Sequence, residues 1–204
     1  IQGEVADKAI EMISGAMNSM RLGDPSKIET DIGPIIDETA RAGLAAHVKR
    51  MRGDAKLSHS VALNDDCEHG TFLAPHLFEI GSISELEKEQ FGPILHVVRY
   101  KASELETTIK EAFSSGYGLT LGVHTRMEAR WQKIFATAPV GNTYINRNMV
   151  GAVVGSQPFG GQGLSGTGFK AGGPRYLYRF ATEKTISINT MASGGNAELL
   201  TLED

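Results

Sequence analysis

The chain has 204 residues, 41% hydrophobic and 22% charged, with a formal net charge of −4. That balance belongs to ordinary globular domains and lacks the basic footprint of a nucleic-acid binder. No apolar run approaches the roughly 20 residues of a membrane span. The first residues show no basic stretch leading into an apolar core, so no signal peptide is read. The lone cysteine, Cys67, excludes an internal disulfide framework and fits a reducing compartment. The six histidines (47, 59, 69, 76, 96 and 124) are scattered and show no zinc spacing, so no metal site is expected.

The chain opens in what reads as a helix already under way, which suggests a piece of a larger protein. Over 4–20, Val5, Ala9, Ile10, Ile13, Met17 and Met20 recur at helical spacing. Met12, Met17 and Met20 read as core filler, and Gly23-Asp24-Pro25 as the stop. Asp37 is a candidate N-cap for a second helix reaching about residue 51, with Ala40, Leu44, Val48 and Met51 on one face. Residues 53–70 read as loop. Cys67 lies among Asp65, Asp66 and Glu68, which disfavour a thiolate, so it is not read as a nucleophile.

A strand is expected over 71–80, then a short helix capped by Ser84 with Glu87. Beyond Glu89-Gln90-Phe91-Gly92-Pro93, strands over 94–100, 119–125 and 140–146 alternate with helices over 104–114 and 127–137. Ser103 with Glu106 would cap the first helix, and Met127, Trp131, Ile134 and Phe135 would face inward from the second. Such alternation predicts an α/β fold with a parallel sheet and flanking helices, whose ligands bind beyond the carboxyl ends of the strands.

One such end opens into a loop with nine glycines between Gly151 and Gly173. A loop that long is usually functional or disordered, and Val150, Val153, Phe159 and Leu164 give it apolar material to bury. Two readings stand: tight backbone packing, or backbone N–H groups offered to an anion. Gly161-Gln162-Gly163-Leu164-Ser165-Gly166 fits G-x-G-x-x-G, but no strand immediately precedes it and no helix pattern follows, so it is not read as a nucleotide loop. A final strand is expected over 180–190.

Three stretches carry a resemblance across nearly the whole chain: EQFGP at 89–93, GLTLGVH at 118–124 and GAVVGSQPFGGQGLSGTGFKAGGPRYLYRF at 151–180. Together they resemble the C-terminal portion of the aldehyde dehydrogenase fold. The branch is that of L-glutamate γ-semialdehyde (1-pyrroline-5-carboxylate) dehydrogenases, as found at the end of the bifunctional proline utilization A proteins. The resemblance implies a domain portion over 1–180 and a terminal β segment with tail over 181–204, part of an oligomerisation flap. It implies NAD as cofactor, with Glu89 on the nicotinamide-ribose hydroxyls and Phe91 beside the nicotinamide ring. It implies that Gly151 and Ala152 hold the substrate's α-carboxylate and that Phe159 lines the channel; Ser156, Asn146 and Asn148 are weaker polar candidates.

The catalytic cysteine and general base are expected upstream, so the chain alone is expected to be inactive. FAD would enter only with a separate upstream proline dehydrogenase domain. The expected partners are a small aldehyde, the rest of the dehydrogenase domain and further copies of the parent, in the cytoplasm or peripheral to the inner membrane. Two alternatives stay open: a dehydrogenase for another aldehyde, or a non-enzymatic assembly module.

Overall fold

The computed structural model describes residues 1–166, 168–189 and 191. It divides into two compact units, Ile1–Ser115 and Gly116–Asp204.

The first unit is built on a three-stranded sheet of β1 (Leu57–Ser60), β2 (His76–Ile80) and β3 (Ile94–Val98), in that order. β1 runs antiparallel to β2, and β3 runs parallel to it with His76 opposite Ile94. Every residue of β2 is buried, because a helix covers each face. Side chains alternate across a strand, and the two cores sort accordingly. Ile10 and Met17 of α1 (Gly3–Asn18) pack with Leu77 and Val97. Val48 and Met51 of α2 (Glu38–Asp54) pack with Phe78 and Ile80.

The predicted periodicities therefore hold for Ile10, Ile13, Met17, Leu44, Val48 and Met51, while Met12 and Met20 are exposed. Asp37 caps α2 as expected, accepting from the Ala40 N–H at 2.7 Å. α1 stops at Asn18, where the Ser19 N–H turns back to Ala16 and Met17, before the Gly-Asp-Pro stop is reached. β1 was expected to be loop. Its four residues, LSHS, carry little apolar pattern and are ordered by pairing with β2.

The capping box lies two residues earlier than expected. Ser82 caps a 3-10 turn over Ile83–Glu85, and the Glu85 carboxylate returns to the Ser82 N–H at 2.9 Å. At the next helix, α3 (Leu105–Ala112), Glu104 rather than Glu106 takes the preceding N–H, that of Lys101.

The second unit carries β4 (Tyr117–Gly118), β5 (Thr120–Val123), α4 (Glu128–Thr137), β6 (Asn142–Ile145) and β7 (Gln162–Gly163). β5 and β6 are parallel neighbours joined through α4, Thr120 opposite Asn142. Ile134 of α4 is buried and Trp131 half-buried, whereas Met127 and Phe135 are exposed. β7 pairs antiparallel with β4 and ties the middle of the glycine loop to the unit.

A 3-10 turn spans Tyr176–Phe180. The alternation over 180–190 does not form a strand within 180–189: alternation supplies two faces, but a strand also needs a ladder partner. The expected tail over 192–204 lies outside the described residues. Among the described residues no helix is long and apolar enough to cross a membrane.

Candidate active site

The turn before β3 holds the first pair of predicted residues. The Gly92 N–H reaches Gln90 O at 2.9 Å, the Ile94 N–H reaches Gly92 O at 2.7 Å, and Pro93 O accepts from the His76 N–H at 2.9 Å. Gly92 packs against α2: a Cβ there would lie 2.5 Å from Leu44 Cδ1, and the leucine would have to shift. The turn so fixed leaves Glu89 exposed and the Phe91 ring 84% exposed. A large aromatic held outward beside a free carboxylate suits a flat ring and a vicinal diol. Both residues are open to a ligand.

The second group lies at the carboxyl end of β6. Asn146 has a positive φ of 52°. Its amide is committed to Thr125, accepting from the N–H and donating to the carbonyl, both at 2.8 Å, so it serves the strand end and not a ligand. Asn148 and Ser156 are exposed. Gly151 has φ +78°, and a Cβ there would meet nothing within 4 Å. Its carbonyl accepts from the Tyr144 hydroxyl at 3.1 Å. Gly151 and Ala152 are exposed, and among the described residues no hydrogen bond uses their N–H groups.

The loop continues through a small hairpin in which Val153 and Gln157 exchange hydrogen bonds at 2.8 and 2.6 Å. Phe159 pairs by backbone with Ala171 and keeps its ring 57% exposed. It is no core aromatic, and lining a channel is open to it.

Backbone packing accounts for one part of the glycine loop, and another part leaves its backbone open. Gly141 and Gly160 pack backbone on backbone: a Cβ at Gly141 would lie 1.8 Å from Gly160 O. A Cβ at Gly166 would lie 1.9 Å from Gly161 O and one at Gly161 2.7 Å from Gly118 O, whereas Gly151 faces open space. The G-x-G-x-x-G stretch contains β7, and no helix follows it before Tyr176 among the described residues. That context is not a phosphate loop.

Cys67 is 6% exposed, packed with Leu22 and Phe72, and its thiol donates to Asn64 Oδ1 at 3.1 Å. Among the described residues no group of three His, Cys, Asp or Glu side chains could hold a metal ion.

One cluster escaped the sequence reading. His47 of α2 and His96 of β3 meet Nε2 to Nε2 at 2.8 Å, and His76 Nε2 lies 3.3 Å from Arg52. Burial, foremost, pushes all three imidazoles below their ordinary pKa; Arg50 adds to it at His47, His47 and then Arg50 at His96, while at His76 the hydrogen bond to Ala74 opposes it and Arg52 adds to it. The available signal was spacing, since His47 sits three residues after Leu44 on the buried stripe of α2.

The aldehyde dehydrogenase family matches residues 1–186. The bifunctional protein PutA of Klebsiella aerogenes is 50% identical over 190 residues, covering 90% of this chain and 14% of that protein. A crystal structure of proline utilization A from Bradyrhizobium japonicum superposes with a TM-score of 0.86 at 52% identity, covering 94% of this chain and 19% of the other. A 1-pyrroline-5-carboxylate dehydrogenase from Thermus with bound NAD superposes with a TM-score of 0.76 at 28% identity, covering 88% and 34%. The chain thus spans a small part of the length of the PutA proteins and about a third of that dehydrogenase. From its first residue to residue 186, this chain belongs to the aldehyde dehydrogenase family.

Proposed function

We propose that the chain is the C-terminal part of a domain that oxidises L-glutamate γ-semialdehyde, the open form of 1-pyrroline-5-carboxylate, to glutamate with NAD⁺. The observation that carries the reading is the exposed Gly151-Ala152 backbone. It sits at the carboxyl end of a parallel strand, its N–H groups are uncommitted among the described residues, and the Tyr144 hydroxyl holds the Gly151 carbonyl. Two converging N–H donors bind a carboxylate without a cation, by charge-assisted hydrogen bonds. They orient a substrate whose aldehyde lies at its other end, and Phe159 shields the aliphatic stretch between.

Glu89 accepts from the nicotinamide-ribose hydroxyls and Phe91 supports the ring. NAD⁺, when bound, supplies the hydride acceptor. The nucleophilic cysteine and the general base belong to the sequence upstream, because Cys67 is buried and spent on Asn64. FAD has no role in these 204 residues and belongs to a proline dehydrogenase domain in the bifunctional arrangement. The parent works as a homo-oligomer in the cytoplasm. The exposed apolar residues Leu177, Phe180, Ile186 and Ile188 favour such association.

The test is NADH formation by the protein extended upstream through its nucleophile. It is run with pyrroline-5-carboxylate and with an alkyl aldehyde of equal chain length lacking the carboxylate. A strong preference for the carboxylated substrate is expected. Equal kcat/KM for the two would refute the assignment of Gly151 and Ala152.

A further inference from the structure

Four residues inside the second unit form one directed chain of hydrogen bonds. The Lys170 ammonium donates to Asn142 Oδ1 at 2.7 Å and to the Gly141 carbonyl. Asn142 Nδ2 donates to the Tyr144 hydroxyl and to Pro158 O, both at 3.2 Å. The Tyr144 hydroxyl donates to Gly151 O at 3.1 Å. Asn142 and Tyr144 share one face of β6, two residues apart. Tyr144 is 7% exposed, and the Arg147 guanidinium lies 4.9 Å from its ring centroid. The chain touches the glycine loop at its start, its middle and near its end.

An ammonium has donors only. It forces the Asn142 amide to present oxygen to Lys170 and nitrogen to Tyr144, settling an orientation that an amide alone leaves open. A hydroxyl that accepts from Asn142 must turn its own proton elsewhere, and the Gly151 carbonyl is where it goes. The charge on Lys170, together with the acceptor-only Pro158 carbonyl on Nδ2, thus dictates that the Gly151 carbonyl is held. With that carbonyl held, the Gly151-Ala152 peptide N–H points in a fixed direction.

We infer that Lys170, Asn142 and Tyr144 are positioning residues that set substrate specificity, holding the Gly151-Ala152 backbone in the orientation that takes a carboxylate. The inference rests on the proposed role of Gly151 and Ala152 and assigns its control to three side chains that never touch the substrate. Removing the Lys170 charge leaves the Asn142 amide oriented by the Pro158 carbonyl alone, which weakens the tether on Gly151.

The test uses the upstream-extended dehydrogenase, assayed with pyrroline-5-carboxylate and with the alkyl aldehyde. Asn142→Asp is the sharpest variant. It keeps the shape and pairs with Lys170, but a carboxylate cannot donate to Tyr144 and captures its proton instead. Asn142→Asp, Lys170→Met and Tyr144→Phe are each expected to raise KM for the carboxylated substrate about tenfold, the worth of one such bond, with kcat and the alkyl KM little changed. Lys170→Arg, also donor-only, is expected to retain near-normal KM.

Gly151→Pro separates the two levels of the claim. If it raises KM selectively for the carboxylated substrate while Asn142→Asp and Tyr144→Phe do not, the positioning role is overturned and the carboxylate site stands. If the parent enzyme itself shows equal kcat/KM for the two aldehydes, the carboxylate site and the positioning role both fall.

Discussion

Gly141 and Gly151 are ten residues apart and are glycine for opposite reasons, which makes Ala at each a sharp test. At Gly141 a Cβ would lie 1.8 Å from Gly160 O, 2.6 Å from Gly161 Cα and 2.7 Å from Gly160 C. All three are backbone atoms, so no rotamer change relieves the clash. The strand end and the loop must separate by more than an ångström, which also draws Lys170 away from the Gly141 carbonyl. Overpacking costs about 1–3 kcal/mol when side chains can yield, and Gly141→Ala should reach about 3 kcal/mol or more, since here they cannot.

At Gly151 a Cβ meets nothing, and the cost is that of φ +78°. That is about 1–2 kcal/mol, offset by about 0.4–1 kcal/mol from a less flexible unfolded chain. At about 2–4 °C per kcal/mol for a domain of this size, Gly141→Ala should lower the melting temperature by about 6–12 °C and Gly151→Ala by only a few degrees. Gly151→Ala should nonetheless raise KM for pyrroline-5-carboxylate by several-fold, because the strained φ redirects the N–H that binds it. Equal melting temperatures, or a Gly141→Ala protein as stable as the parent, would refute the backbone-packing account.

Phe91→Ala should weaken NAD⁺ binding, measured by titration, yet shift stability by no more than about 0.5 kcal/mol, because the ring is already outside the core. Asp37→Ala should cost about 1 kcal/mol by denaturant titration, through loss of the 2.7 Å cap at Ala40. Cys67→Ala should leave the activity of the upstream-extended enzyme intact, and a thiol reagent should label Cys67 only as the protein opens. The lowered imidazoles of His47, His76 and His96 fix the sign of a pH effect. The unfolded chain takes up protons first as pH falls below the ordinary histidine range. Stability is therefore complete above about pH 6.5 and declines below it. Melts at pH 7.5 and 5.5 should show the decline, and His96→Gln should flatten it.

Where one local rule decided the outcome, the residues could be read in advance. Ile10, Ile13 and Met17 gave α1 its face, Asp37 announced α2, and β5, α4 and β6 followed from alternating periods. β1 could not be read, because LSHS becomes a strand only by pairing with β2. The histidine contact was hidden for a related reason: His47 and His96 are 49 positions apart and meet only when α2 lies on the sheet. The glycine loop shows the limit most clearly. Residue type gave no means of telling Gly141 and Gly166, which admit no Cβ, from Gly151, which has room and a left-handed backbone. Of the candidate site residues, Glu89 and Phe91 were proposed from their motif, and the structure leaves both exposed. The network from Lys170 to Tyr144 was not, because its members are joined only when the loop folds back over β6.

The central claim is that these residues orient substrate and cofactor for a nucleophile supplied by sequence upstream. NADH formation from pyrroline-5-carboxylate and NAD⁺ tests it most directly, measured on the 204-residue chain and on the protein extended upstream through the whole dehydrogenase domain. Turnover in the extended protein alone is the predicted result. Turnover by the 204 residues alone would contradict it and require Cys67, or other chemistry within them, to act.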